Sequence, residues 1–104
     1  MKNLEFIGSA KEDLAAFTPE ARRAAGFELR QVQQGLMPTD WKPIPEIGPG
    51  AMEIRIHLAG AWRVIYVAKF ENTVYVLHSF RKKTQKTSRG DIALATSRYR
   101  NLGV

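Results

Sequence analysis

From Met52 onward the chain takes up a period of two. Met52, Ile54, Ile56 and Leu58 alternate with Glu53, Arg55 and His57, which predicts a strand with one buried side. Trp62–Phe70 and Thr73–Phe80 read as two further strands, joined by a turn at Ala59–Ala61 and a two-residue turn at Glu71 and Asn72, so a three-stranded antiparallel meander is expected. Upstream, Leu4–Ile7 reads as a short edge strand. Ser9 and Glu12 have capping-box spacing ahead of a helix over 10–17, and Thr18-Pro19 starts a second helix that should stop at Gly35. The stripe Ala21, Ala25, Leu29, Val32 and Leu36 gives that helix one buried face. Between Leu36 and Gly50, Pro38, Pro43, Pro45 and Pro49 predict a long loop without ladder strands, pinned by Trp41 and Ile44. A basic loop over 81–89 and a closing helix over 91–102, with Ile92, Ala95, Tyr99 and Leu102 facing inward, complete the chain. The expected class is α+β: two N-terminal helices packed on a small antiparallel sheet, formed by the short N-terminal strand and the meander, with a C-terminal helix.

Strand pairing decides which side chains share a face. Setting Leu58 opposite Trp62 and Phe70 opposite Thr73 places Met52, Ile54, Ile56, Leu58, Trp62, Val64, Tyr66, Phe70, Tyr75 and Leu77 on the face for the N-terminal helices to cover. The other face gathers Glu53, Arg55, His57, Arg63, Lys69, His78, Phe80 and Lys82 beside Ile65, Val67, Val74 and Val76. Arg63 is expected on the solvent side of its strand.

A length of 104 residues, 44% of them hydrophobic, fits one globular domain over 1–104. Its core should need no disulfide. The chain has no cysteine, which excludes thiolate zinc sites and cysteine nucleophiles. No apolar run reaches the ~20 residues of a membrane span, and the first ten residues lack signal-peptide character, so a soluble, unexported, cytoplasmic protein is expected. The formal net charge of +6 is unevenly spread: residues 1–52 hold six Lys and Arg against seven Asp and Glu, residues 53–104 ten against three. A basic C-terminal half suits an anionic partner such as nucleic acid or a ribosomal surface.

The mixed face carries the chemistry for cleaving an RNA phosphodiester through the neighbouring 2′-hydroxyl. That reaction needs a proton acceptor, cations for the extra phosphorane charge and an acid for the departing oxygen. Glu53, His57, His78 or a lysine can handle protons, Arg55 and Arg63 can clamp phosphate with planar forks, and Phe80 can stack a base. Scattered carboxylates do not make a Mg²⁺ cluster, so neither metal nor cofactor is expected. Arg81, Lys82, Lys83, Lys86 and Arg89, with no acidic residue among 81–89, should attract RNA phosphates.

The segments MEIRI at 52–56, AWRVIYV at 61–67 and VLHSFRKKTQKTSRGDIALATSRYR at 76–100, in this order of elements, resemble the RelE/HigB superfamily of type II toxins, closest to its phage-derived HigB-like branch. The resemblance implies a ribosome-dependent endoribonuclease that cuts mRNA, silenced by a helix-turn-helix antitoxin. Arg55 looks like the second residue of the family's basic-x-basic pair, whose first place holds Glu53. By the same resemblance Arg63 looks like the transition-state arginine, and Lys83, or Lys82, like the basic residue closing the last strand. The tyrosine found early in some members' final helix is replaced by Ile92, leaving the proton role to His57, His78, Lys86 or Tyr99. A similar fold serves ParE-type toxins, which act on DNA gyrase through protein contacts; a basic RNA-binding module without chemistry is the other alternative.

Overall fold

The computed structural model describes residues 1–103. In chain order it contains β1 (Asn3–Phe6), α1 (Ala10–Ala15), α2 (Pro19–Gln33), β2 (Trp41–Pro43), β3 (Ala51–His57), β4 (Ala61–Val67), β5 (Thr73–Lys82) and α3 (Arg89–Arg100). The strands form one five-stranded sheet in the order β1-β5-β4-β3-β2. β3, β4 and β5 are the expected antiparallel meander, and β1 lies parallel along β5 at one edge. Helices cover both faces. Leu14, Phe17, Ala21, Ala25, Leu29 and Val32 of the N-terminal helical segment pack on Ile54, Ile56, Trp62, Val64, Tyr66, Val74 and Val76. On the opposite face Ala95 of α3 packs with Ile65, Leu77, Ala51, Ile44 and Ile47. The architecture is the α+β class read from the sequence.

Local signals account for α2. The Thr18 hydroxyl accepts the Ala21 amide at 3.3 Å, Pro19 opens the helix, and Gly35 leaves it at φ +85°. That reversal turns Leu36 outward to 52% exposure, so the buried stripe ends at Val32. Ser9 does not form the expected capping box. Its hydroxyl donates to Asp13 at 2.7 Å and accepts from the Arg98 guanidinium at 3.0 Å, because α3, distant in sequence, reaches the start of α1.

The proline-rich stretch does contain a ladder strand. β2 pairs with β3 at the sheet edge, where a proline lacking an N–H is tolerated. Ile44 and Ile47 are buried and anchor this segment, whereas Trp41 remains 38% exposed. The buried Glu28 carboxylate holds it too, accepting from the Thr39 amide and hydroxyl.

Both hairpins differ from the simplest reading. In the first the loop is Leu58–Gly60, so His57 faces Ala61 and Arg55 faces Arg63. A two-residue offset preserves face membership, since side chains alternate with that period. In the second, β4 stops at Val67, and Leu77 is an extra residue bulged out of β5 between the Tyr66–Val76 and Ile65–His78 pairs. The bulge moves Val74 and Val76 to the N-terminal helices, and Tyr75 and Leu77 to α3, the reverse of strict alternation.

Candidate functional site

The bulge and the hairpin offset leave the upper end of the meander in a defined register: Arg55 opposite Arg63, Arg63 opposite Phe80, and Lys42 of β2 opposite Glu53. These side chains share the α3-side face. Lys82 lies two residues beyond Phe80 in β5, hence on the same side, close enough to Arg63, Glu53, Lys42 and Arg55 to feel each of their charges.

Arg63 is not a solvent-facing strand arginine. Its side chain is 4% exposed and its Nε lies 3.5 Å from Oε1 of Glu53, itself 1% exposed. The Arg63 Nη1 donates to the Trp62 carbonyl at 3.0 Å, while its Nε has charge attraction to Glu53 without a hydrogen bond. Thr87, from the segment between β5 and α3, donates to the other Glu53 oxygen at 2.8 Å. Glu53 is thereby sealed under that segment as the counter-ion of Arg63, not offered to solvent as a free base. Burial lowers the Arg63 pKa, Glu53 opposes the shift, and Arg55 adds to it.

Around this pair sits a second tier. Arg55 Nε is 3.8 Å from Asp40 and has no hydrogen-bond partner. Asp40 also accepts from His57 Nε2 at 3.1 Å; that histidine is 59% exposed. Burial first, and Arg63 next, hold the Lys82 amine below the ordinary lysine value. Lys42, Arg55, Arg63 and Lys82 thus face Glu53 and Asp40, four cations against two carboxylates. Such a site has unsatisfied positive charge and N–H donors, the complement of a phosphate. Thr87 and Asp40 escaped the sequence reading, since nothing local marks a loop hydroxyl or pre-strand carboxylate that acts across the fold.

Other expected members lie elsewhere. Arg81 is opposite Trp62 and stacks on its ring at 5.1 Å, so it and Lys83 belong to the face of the N-terminal helices. Of the two lysines at the end of β5, Lys82 is the one on the side of Arg63. Lys69 packs over the Phe70 and Tyr99 rings, outside the cluster. His78 is buried, donates to Asp91 at 2.6 Å and stacks on Phe80 at 4.7 Å, a contact that docks the start of α3. Tyr99 donates its hydroxyl to the Pro49 carbonyl at 2.7 Å. Lys86 and Arg89 are exposed; Arg89 begins α3 and is not a loop residue. Among the described residues no three His, Asp or Glu side chains gather as a metal-binding group.

Fold and site together define a small α+β protein that holds a desolvated arginine beneath further cations. The chain belongs to the family described as phage-derived protein Gp49-like (DUF891), whose model matches residues 12–100. This is a family of RelE/HigB-like toxins related to toxin–antitoxin systems, and membership implies an antitoxin partner. No curated protein matches the chain. No helix among the described residues is long and apolar enough to cross a membrane.

Proposed function

We propose that residues 1–104 form one toxin domain of the HigB-like branch, a cytoplasmic endoribonuclease that cuts mRNA on the ribosome by 2′-hydroxyl attack and is neutralised by a helix-turn-helix antitoxin. The observation that supports this most is the excess of cations around the buried Arg63–Glu53 pair. A phosphorane gains one negative charge over its parent phosphodiester, and donors already desolvated and fixed on strands stabilise that charge without reorganising. In this reading Arg63 and Arg55 bind the reacting phosphate. Glu53 positions Arg63, and Thr87 positions Glu53. Lys82, whose lowered pKa brings it nearer to neutrality, exchanges the proton, with His57 the alternative at the rim. Phe80, Lys86 and Arg89 flank the approach, where Phe80 offers a half-buried ring to a base, and the buried His78 supports that ring by stacking on it.

The test is to incubate the purified protein with translating ribosomes and map new mRNA 5′ ends. Defined cuts that disappear in an Arg63→Lys protein of unchanged stability support the reading. Growth inhibition without new 5′ ends contradicts it and points to a protein-contact toxin.

A further inference from the structure

The alternation that brings Lys82 to Arg63 sends Arg81 and Lys83 to the back of the sheet, where they border a separate pocket of about 390 Å³ between β5 and α1. Asp13, Phe17, Trp62, Ser79, Arg81 and Lys83 line it. Three features fit a nucleotide. The Arg81 guanidinium carbon lies 5.1 Å from the centre of the Trp62 ring, which in turn packs on Phe17 at 4.8 Å, so a planar cation beside an aromatic cluster is available to a base. Lys83, exposed at the mouth, supplies a point charge for a phosphate. In the wall is the Ser79 hydroxyl, 1% exposed and without a hydrogen-bond partner. A buried hydroxyl left unpaired is costly, and a ligand oxygen would satisfy it once the side chain turned toward the pocket. The one carboxylate, Asp13, already accepts from Ser9 at 2.7 Å.

We infer that this pocket binds one nucleotide of the RNA strand, its phosphate between Arg81 and Lys83 and its base against the Arg81 plane, on the sheet face opposite the cleavage site. The inference rests on the RNA reading above and extends it: the strand passes around the free end of β5, touching Lys82 in front and Arg81 behind. Consecutive residues of one strand grip both faces. An acidic peptide would use the two cations but has no use for a guanidinium platform, so RNA is the better occupant.

The experiment titrates the whole free protein with a 2′-O-methyl RNA trinucleotide, which cannot be cleaved, and follows the indole N–H resonances of Trp62 and Trp41 by NMR. Trp62 should shift and Trp41, on β2, should not. Arg81→Gln/Lys83→Gln should weaken binding at least tenfold and Ser79→Ala about threefold. Neither cation is buried, so the double variant should fold. Unchanged affinity in the double variant, or a Trp62 resonance that stays still, overturns the inference, as does displacement of the trinucleotide by a glutamate decapeptide at equal charge. If the ribosome assay shows cleavage while the double variant binds as wild type, the pocket alone is refuted. Back-face binding without any cleavage refutes the nuclease reading and leaves the pocket standing.

Discussion

Arg63 and Glu53 depend on each other because both are desolvated. Removing one partner of a buried ion pair typically costs about 3–5 kcal/mol, chiefly by leaving the other charge unmatched. Arg63→Ala should therefore destabilise the fold by that amount, and its loss of toxicity would say little about chemistry. Arg63→Lys keeps the charge near Glu53 but loses the planar fork; we expect little change in the denaturation midpoint and about a 10²–10³-fold drop in cleavage rate. Full cleavage by Arg63→Lys would remove Arg63 from the reaction. Tyr66 gives a pH test of packing. Burial, reinforced by Glu28, pushes its phenol from 10.0 up to about 12. Between those values the unfolded chain loses a proton that the folded one keeps, so stability should fall as pH rises through that window. Tyr66→Phe should flatten the fall in urea titrations at about pH 10–12. The sequence showed that these residues share a sheet but not their burial, nor that Thr87, 34 residues from Glu53, would hydrogen-bond that carboxylate.

At the scale of elements, α3 is held at both ends by contacts that periodicity does not encode. His78 and Asp91 fix its start, Arg98 donates to the Leu77 carbonyl at 2.8 Å, and Tyr99 crosses to the proline-rich segment. Gly48 lies so near the Tyr99 ring that a Cβ there would come within 2.6 Å of it. Gly48→Ala should thus push Tyr99 away and destabilise by about 1–3 kcal/mol. Tyr99→Phe, which loses only the hydrogen bond, should cost about 0.5–1.5 kcal/mol. If urea denaturation finds Gly48→Ala no worse than Tyr99→Phe, the close packing is not what holds the segment. Apart from β2, the order of elements, the meander and the α2 cap were legible because each is marked within a few residues: alternation, Thr-Pro, Gly. The Leu77 bulge carries no such mark. It moved four side chains between the two cores while leaving the Arg63–Phe80 register as read.

The whole molecule concentrates its +6 charge in the C-terminal half, and the run from Arg81 to Arg89 carries five of those cations at and just beyond the end of β5. Lys82 sits on the front, Arg81 and Lys83 on the back, Lys86 near Lys42 and Ile92 on the front, and Arg89 at the start of α3, so cationic side chains lie on both sides of the free end of β5 instead of forming one patch. Each contact with an RNA phosphate releases condensed counterions, which makes the logarithm of affinity fall linearly with the logarithm of salt. Ribosome binding measured by sedimentation over about 50–200 mM salt should follow such a line. Replacing Lys82, Lys86 or Arg89 with Gln, one at a time, should lessen its steepness by about one unit for each residue that touches phosphate. A pair drawn from opposite sides of the sheet, Lys82→Gln with Lys83→Gln, should lose close to two units, because side chains on opposite faces touch different phosphates and each contact counts once. A slope that stays at the wild-type value in that pair would mean that both lysines are merely solvated, and that the ribosome is held by another surface of the toxin.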